Sequence, residues 1–436
     1  MSAPSFQSPK GVHDILPDEH LYFSFIKKVV RHHCRRAGFR RISTPIFEDV
    51  ETFTRSIGEA SDIVEKEMFI FESKSGKKFA LKPEGTAGVV RAYLQHGMQQ
   101  LPKPLELYYI EPHFRYNRPQ KGRYRQFHQF GFEVLGESDP AIDAQVIYLA
   151  HRINKDLGIS DRLSLQLNTI GSMEDRKKYM EDLVNYYTGK ERSLCEDCKR
   201  RMHTNPMRLL DCKEEDCQIL ASMAPKLENV ISDESKQHFK LLREYLDELG
   251  VKYELNPLLV RGLDYYTHTV FEYWSKKDGA QNAIGGGGRY DGLVELMGGP
   301  ETPAIGYAAG MERVVEYMKE AGIRPPNKDV VFIFVAQLGL VAKKKALSLL
   351  NDLRDQGLNV VGAVGKDSMK AQMGLADRLN AQYSLILGQI EVQEGTIILR
   401  DMKKGSQLTI PYDTAVQKMV ELLGKNPLKG KKLWEE

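Results

Sequence analysis

The sequence has little of what marks fibrous, disordered, membrane-spanning or disulfide-stapled proteins. Its 436 residues include only 36 glycines, 19 prolines and 5 cysteines, and the formal net charge is +3. The longest uninterrupted apolar run covers residues 330–336, far short of the ~20 residues that a transmembrane helix needs. No repeat period is sustained along the chain. We therefore expect a globular protein whose thiols stay reduced in the cytoplasm.

The remaining composition is that of a chain able to build a sizeable core. Apolar residues make up 42% and charged residues 28% of the sequence. The first residues contain neither an apolar stretch nor an Arg-rich amphipathic pattern, so we expect no export or import signal. Because Lys plus Arg (62) nearly equals Asp plus Glu (59), any nucleic-acid site must be a local basic patch.

Changes in periodicity divide the chain into two predicted domains. Residues 1–325 contain strands and helices, interrupted at about 172–250 by a charged, helical, cysteine-containing insertion. The segment 323–329 contains two prolines and predicts a short, stiff linker. Strands then alternate with helices over 330–424, which predicts a small α/β domain with a largely parallel sheet. Residues 425–436 are expected to form a frayed tail.

The segment 105–135 has period-two patterning on both sides of a polar stretch, which predicts an antiparallel hairpin. Because side chains alternate across a strand, Gln129, Gly131 and Glu133 share one face. The opposite face is apolar, so the hairpin has a core side and a polar side. The polar side either faces bulk solvent or holds a ligand. We expect Gly131 to leave a gap where a small ligand lies.

The loop that joins the two predicted strands is strongly basic. It has no acidic residue, and its cations are Arg115, Arg118, Lys121, Arg123 and Arg125. Gathering five cations is unfavourable unless an anion neutralises them. Phosphate is the natural anion, because the guanidinium fork binds its oxygens in pairs.

Two further segments carry candidate ligand contacts. Four consecutive glycines, 285–288, predict either a loop that approaches a ligand closely or a flexible surface loop. Their spacing matches neither a dinucleotide-binding nor a Walker pattern. Arg313 falls in the first turn of a predicted helix, where the helix dipole does not favour a cation. This position indicates an anionic ligand, or else a solvated arginine at a helix end.

Four of the five cysteines cluster in the insertion as C-x2-C-x13-C-x4-C, at Cys195, Cys198, Cys212 and Cys217. The first pair has the spacing of a zinc knuckle, and the second pair is looser. Two alternatives stay open: a structural zinc site, or free thiols within a helical insertion.

Over essentially its whole length, the chain resembles the bacterial type of the histidyl-tRNA synthetase family, a class II aminoacyl-tRNA synthetase family. Three segments resemble the degenerate class II motifs: TPIFED (44–49), FRYNRPQKGRYRQFHQFGFEVLG (114–136) and GMERVV (310–315). Two resemble the more specific histidine signatures: LKPEGTA (81–87) and RGLDYYTHTVFE (261–272). One departure is EPHFR at 111–115, where the family form is closer to GPMFR; the arginine is kept.

The resemblance implies an α+β class II synthetase catalytic core, in which helices flank an antiparallel sheet, with a helical insertion. A C-terminal α/β anticodon-binding domain follows. The implied reaction is ATP-dependent ligation of L-histidine to the histidine tRNA through histidyl-adenylate, with release of AMP and pyrophosphate. The implied partners are ATP as a substrate, Mg²⁺ with ATP, the tRNA and a second copy in a homodimer.

The resemblance also implies roles for individual residues. Arg115 and Arg261 act in catalysis. The residues implied for histidine binding are Glu84, Gly85, Thr86, Arg115, Gln129, Glu133, Arg261, Tyr265 and Tyr266. Those implied for ATP binding are Arg115, Arg123 and Arg313. Arg118 and Gln120 would contact the acceptor end of the tRNA, and no residue that reads the anticodon can be assigned.

Two rival interpretations make different demands on the sequence. A catalytically silent paralogue, such as the regulatory partner of a short ATP phosphoribosyltransferase, generally lacks the anticodon domain. Here the segment 330–424 is present, and Arg115, Gln129, Glu133 and Arg261 are intact. A synthetase for proline, glycine or threonine would share the C-terminal domain type, but RGLDYYTHTVFE argues against it.

Overall fold

The computed structural model describes residues 6–58, 61–276, 283–326 and 332–424. The chain divides between Pro325 and Pro326 into two compact units, which are described separately below. The predicted tail, residues 327–329 of the predicted linker and the first two residues of the predicted second domain lie outside the described residues. Among the helices of the described residues, none is long and apolar enough to cross a membrane.

In the first unit, short runs of strands alternate with helices along the chain. Its strands are β1 (Arg40–Arg41), β2 (Phe47–Asp49), β3 (Ile70–Glu72), β4 (Lys78–Leu81), β5 (Leu105–Phe114), β6 (Gln126–Leu135), β7 (Leu163–Thr169), β8 (Glu254–Leu255), β9 (Thr267–Ser275), β10 (Ala283–Arg289) and β11 (Ala304–Gly310). Its helices are α1 (Pro17–Arg36), α2 (Val50–Ile57), α3 (Thr86–Gln95), α4 (Pro140–Asp156), α5 (Met173–Tyr187), α6 (Glu196–Thr204), α7 (Glu215–Ser222), α8 (Asp233–Glu248), α9 (Leu293–Leu296) and α10 (Met311–Glu320).

Eight of these strands form one sheet in the order β1-β5-β6-β11-β10-β9-β7-β8. The pairings are antiparallel except those of β1 with β5 and of β7 with β8, at the two edges. A second, three-stranded sheet has the order β2-β4-β3. The antiparallel sheet flanked by helices is the predicted catalytic architecture, and it is confirmed.

The predicted hairpin is confirmed as β5 and β6, which lie side by side in the large sheet between β1 and β11. Register places Glu111 opposite Gln129 and Tyr109 opposite Gly131. Phe130 and Phe132 point to the other face and are fully buried against helices α1 and α4. Because apolar and polar side chains alternate along these strands, one face of the hairpin packs on the core and the other faces the candidate site.

The prediction that 285–288 form a loop is wrong: the four glycines lie in β10, at the centre of the sheet. A Cβ at Gly287 would lie 2.0 Å from the carbonyl oxygen of Gly306. A Cβ at Gly285 would lie 2.4 Å from the Tyr307 hydroxyl oxygen, and one at Gly286 would lie 2.6 Å from Nη1 of Arg261. Neighbouring groups pack directly on the glycine backbone, so glycine here permits close packing rather than flexibility.

The predicted helical insertion is present as α5 to α8, but its last helix belongs to the main core. Leu242 and Leu246 of α8 are fully buried in the cluster that covers the large sheet. The rest of the insertion packs in a second cluster with the loop before β9. At the other end of the unit, α1 begins at Pro17.

The second unit is a five-stranded sheet with helices. Its strands are β12 (Ile333–Gln337), β13 (Val360–Gly362), β14 (Tyr383–Leu387), β15 (Thr396–Asp401) and β16 (Gln407–Pro411). Its helices are α11 (Leu340–Asp355), α12 (Met369–Arg378), α13 (Gln389–Glu394) and α14 (Ala415–Leu423). The order is β13-β12-β14-β15-β16, with parallel pairing around β12 and antiparallel pairing beyond β14. The prediction of a largely parallel sheet is wrong, because β15 pairs antiparallel with β14 on one side and with β16 on the other.

Candidate active site

A cleft of about 1270 Å³ opens on the polar face of the large sheet. Its walls come from the hairpin loop, from strands β6, β9, β10 and β11, from the start of α10 and from the insertion. Sequence-predicted site residues on these walls are Arg115, Arg123, Gln129, Arg261 and Arg313. The cleft is large enough for a nucleotide together with an amino acid.

The expected gap above Gly131 is closed by Tyr109. A Cβ at Gly131 would lie 2.4 Å from the Tyr109 hydroxyl oxygen, and a Cβ at Gly85 would lie 2.4 Å from Cζ of the same ring. The phenol ring therefore occupies the space that two glycines leave free. The prediction that a ligand lies over Gly131 is wrong, because the cross-strand neighbour fills the space first.

Glu133 is buried at the centre of a hydroxyl cluster. Its Oε1 accepts hydrogen bonds from Thr86 (2.9 Å) and Tyr109 (3.4 Å), and its Oε2 accepts one from Tyr290 (2.7 Å). Burial raises the pKa of this carboxyl to about 8, even though the hydroxyl donors favour the ionised form. The polar side of the hairpin is thus an interior surface here rather than a face open to solvent.

Glu84 lies at the N-terminus of α3, in the predicted turn before the helix. Its two oxygens accept the backbone N–H groups of Thr86 (2.7 Å) and Ala87 (2.8 Å). Burial raises the pKa of Glu84, and these N–H bonds oppose the rise. The carboxylate therefore anchors Thr86, whose hydroxyl reaches Glu133.

Two buried polar atoms on the cleft wall have no hydrogen-bond partner within the described residues. They are Oε1 of Gln129, an acceptor, and Nε of Arg261, a donor. The same guanidinium pairs through Nη1 with Glu272, whose other oxygen accepts from the Trp274 indole (2.6 Å). Buried polar atoms normally find partners, so this pair indicates a ligand that carries both a donor and an acceptor.

Tyr265 and Tyr266 are buried beside this pair. Their ring centroids are 4.7 Å apart, and the Arg261 guanidinium lies 5.4 Å from the Tyr266 ring. Burial alone would lower the pKa of Arg261, but Tyr266 and Glu272 raise it overall. Burial raises the pKa of both tyrosines, so their hydroxyls stay protonated.

Arg115, Arg123 and Arg313 form the cationic part of the cleft. Arg115 Nε donates to the Pro83 carbonyl (2.8 Å), and Arg313 Nε donates to the Gly122 carbonyl (3.0 Å). Burial lowers the pKa of Arg313 and of Arg115, and repulsion from Arg123 and Arg115 lowers that of Arg313 further. Neighbouring cations and burial together outweigh the pull of Glu272 and Glu316 on Arg313, so an anion bound in the cleft would relieve the repulsion.

The structure places the remaining predicted residues in two groups. Glu84, Gly85, Thr86, Glu133, Tyr265 and Tyr266 are buried and do not line the cleft. Arg118 and Gln120 are exposed on the hairpin loop, where Gln120 pairs with Arg123 through backbone hydrogen bonds.

The sequence reasoning missed three residues that shape the site: Tyr109, Glu272 and Tyr290. Tyr109 stands two residues before Glu111 on the polar face of β5, and period-two alternation alone signals it. Glu272 and Tyr290 stand within or beside segments singled out by their motifs, but no local pattern shows that they reach Arg261 and Glu133.

Comparisons with known proteins agree with this geometry. A family model described as "Histidyl-tRNA synthetase" matches residues 11–314, and one described as "Anticodon binding domain" matches residues 329–422. The fold and these matches define a class II aminoacyl-tRNA synthetase.

Similar proteins cover nearly the whole chain. A histidine–tRNA ligase of Dehalococcoides mccartyi is 46% identical over 94% of this chain and 98% of its own length. One of Anoxybacillus flavithermus is 42% identical over 96% of this chain and 100% of its own. The crystal structure of the apo histidyl-tRNA synthetase of S. aureus matches with a TM-score of 0.80 at 36% identity, covering 95% of this chain and 99% of that one. The chain belongs to the histidyl-tRNA synthetase family.

Proposed function

We propose that this chain ligates L-histidine to the histidine tRNA, using ATP and passing through histidyl-adenylate. AMP and pyrophosphate are the products. The observation that carries the proposal is the unpartnered pair of Gln129 Oε1 and Arg261 Nε on the wall of an arginine-rich cleft. An amino acid zwitterion supplies the complementary groups: an ammonium for the acceptor and a carboxylate for the donor.

Histidine binding would use both the cleft wall and the buried cluster. Gln129 Oε1 accepts a hydrogen bond from the ammonium group of histidine. Glu84 contributes negative charge near that group, and the Thr86 hydroxyl contributes a further acceptor. Tyr265, Tyr266 and Glu133 address the imidazole, which offers one donor and one acceptor when neutral. A site that pairs both imidazole nitrogens has unsatisfied polar groups when any other amino acid binds. Discrimination against such amino acids reaches ~10⁴-fold without an editing step.

Gly85 and Tyr109 would keep this arrangement rigid. The Tyr109 ring packs on the backbone at Gly85, and its hydroxyl reaches Glu133. The ring therefore fixes the position of the Glu133 carboxylate relative to the start of α3. Preorganised donors favour the bound state because less freedom is lost when the ligand arrives.

Adenylate formation joins two anionic groups, so its barrier is largely electrostatic. The histidine carboxylate attacks the α-phosphorus of ATP, and it needs no general base because it is ionised at neutral pH. Arg115 bridges the carboxylate and the α-phosphate, and Arg261 brings a second guanidinium. Arg123 and Arg313 hold the remaining phosphates and the adenine of a bent ATP.

Mg²⁺ is proposed to enter with the ATP phosphates. Of the residues that the structure describes, only cysteines gather closely enough to make a ready metal site. Glu272 and Glu312 line the cleft, but Glu272 pairs with Arg261, and Glu312 accepts from the backbone and ring of His128. Mg²⁺ bound with a nucleotide commonly takes most of its ligands from phosphate oxygens and waters, so it would depend little on these two paired carboxylates.

Contacts with macromolecules are proposed at three places. Arg118 and Gln120, exposed on the basic loop, would meet the acceptor end of the tRNA, and the unit after Pro325 would meet the anticodon. A homodimer would form over the apolar side of the small sheet, where Ile46, Phe47 and Phe71 are each about half exposed. We place the enzyme in the cytoplasm, where its tRNA is used.

The test is ATP–pyrophosphate exchange with each of the twenty amino acids, followed by aminoacylation of the histidine tRNA. Exchange with histidine alone, and charging of that tRNA, is the expected result. Exchange with proline, glycine or threonine would contradict the proposed substrate. Absence of exchange with every amino acid would contradict the activity itself and favour a silent paralogue with a protein partner.

A further inference from the structure

The four cysteines of the insertion come together although they are spread over residues 195–217. One sulfur from each of Cys195, Cys198, Cys212 and Cys217 lies within 4.8 Å of all the others. The Sγ atoms of Cys195 and Cys212 are 3.8 Å apart. A tetrahedral zinc with Zn–S bonds of about 2.3 Å separates its sulfurs by about 3.8 Å, so the cluster has the dimensions of a four-thiolate site.

The backbone around the cluster is arranged to stabilise thiolates. The N–H of Cys198 donates to Cys195 Sγ (3.4 Å), and the N–H of Cys195 donates to Cys217 Sγ (3.3 Å). N–H···S bonds favour the deprotonated sulfur, which is the form that binds a metal.

The same cysteines are not cross-linked: all four are free thiols, and 3.8 Å is well beyond the ~2.05 Å of a disulfide bond. Three of the four are buried, whereas four unrelated thiols have no reason to share one point of a charged, helical segment. The two cysteine pairs of the sequence, Cys195 with Cys198 and Cys212 with Cys217, thus bring their sulfurs to one point in the insertion.

We infer that Cys195, Cys198, Cys212 and Cys217 bind one zinc ion that holds the insertion together. All four ligands come from the protein, which leaves no open position, so the ion is structural and takes no part in the transfer reaction. It joins the start of α6 to the segment before α7 and to α7 itself.

The clamped segment carries contacts to the histidine signature. Within it, Asn205 donates to a carboxylate oxygen of Asp264, and Arg208 pairs with Asp62 (3.6 Å). Arg208 packs so closely that a Cβ on Gly262 would lie 2.7 Å from its Nη1. Through these contacts of Asn205 and Arg208, the zinc would stabilise the loop that carries Arg261 at the cleft wall.

The first experiment is elemental analysis of the full-length protein, purified in the presence of a reductant and without added chelator. We expect one equivalent of zinc per chain. Replacing zinc with Co²⁺ is expected to produce the intense charge-transfer and visible bands of a tetrahedral cobalt–thiolate centre, a readout independent of catalysis.

Variants then locate the ion. Cys198→Ser and Cys212→Ser are expected to lose at least tenfold in zinc affinity. Cys34→Ala is the matched control, because Cys34 is a buried cysteine of α1 outside the cluster, and it should keep a full equivalent. If a serine variant fails to fold, the cobalt spectrum and metal content of the unaltered protein still decide the question.

Three results would overturn the inference. The first is unaltered protein that has no zinc as purified and takes up neither Zn²⁺ nor Co²⁺ on titration. The second is equal zinc retention by Cys198→Ser and Cys34→Ala. The third is a mass, measured without reductant on protein never oxidised deliberately, that shows two disulfides among the four cysteines.

Discussion

The Tyr109 ring stands over the backbone of Gly131, in the space that a side chain there would need: a Cβ at Gly131 would lie 2.4 Å from the tyrosine hydroxyl oxygen. The two residues are direct partners across β5 and β6. The absence of a side chain at Gly131 therefore makes room for the Tyr109 ring, whose hydroxyl belongs to the hydrogen-bonded cluster around Glu133.

Gly131→Ala should displace Tyr109 and loosen the histidine site. Overpacking of this kind costs roughly 1–3 kcal/mol in the free energy of unfolding. The KM for histidine should rise more than the KM for ATP in pyrophosphate exchange. Gly292→Ala is the control, since a Cβ at Gly292 would meet no atom of the described residues within 4 Å. Equal behaviour of the two variants would show that the Tyr109 contact has no bearing on the site.

Glu133 should make stability depend on pH. Its pKa is about 8 in the folded protein, against an ordinary value of 4.5, so the folded state holds a proton that the unfolded state releases. The resulting stability is fully present below pH 4.5 and is lost as pH rises through 8.

Urea unfolding at pH 6 and pH 8, without histidine, compares the unaltered protein with Glu133→Gln. The unaltered protein should lose about 2 kcal/mol more than the variant over this interval. Parallel changes in the two proteins would mean that Glu133 is ionised throughout.

Arg261→Ala should depress adenylate formation by about 10²–10³-fold, because a preorganised positive group would be lost from the transition state. Binding of tRNA should change little. The substitution also leaves Glu272 without its partner.

Arg261→Ala combined with Glu272→Gln separates the two effects. Adenylate formation should stay as depressed in the double variant as in Arg261→Ala if the guanidinium is needed for catalysis. Recovery of exchange in the double variant would mean that the unpaired carboxylate, and not the missing guanidinium, was the cause.

Arg313→Ala should raise the KM for ATP by roughly tenfold or more, the value of one lost charge-assisted contact. The matched control is Lys121→Ala, in the same basic surroundings, whose side chain is exposed and pairs with Glu320 (2.6 Å). Initial rates of exchange at varied ATP measure both. A similar rise in the control would point to a general electrostatic effect rather than to a phosphate contact.

Phe47→Asp should convert the proposed dimer to monomers, because it places a charge on the exposed apolar side of the small sheet. Sedimentation velocity at micromolar concentration reads the change. Ile219→Asp is the control, since Ile219 lies in the insertion and is 54% exposed, close to the 50% of Phe47. A monomeric unaltered protein, or a dimeric Phe47→Asp variant, would contradict the proposed interface.

Local patterns were enough for the hairpin and for the cationic loop. Alternation of two residues placed Gln129 and Glu133 on one face, and the register of β5 and β6 confirms it. The same kind of reasoning failed for 285–288, because glycine has no side chain whose alternation could show a strand. Only the neighbours, Gly306 and Tyr307, explain why the strand must be glycine.

What the sequence determined by itself was the set of chemical groups and the faces on which they stand, since strand and helix geometry repeat over a few residues. The tertiary structure alone decided which groups meet. Tyr109 closes the space over Gly131, Glu272 pairs with Arg261, and four separated cysteines share one centre. These contacts join residues from separate positions in the chain, so strand register and helix packing determine them. No local periodicity in the sequence shows which of these residues will meet.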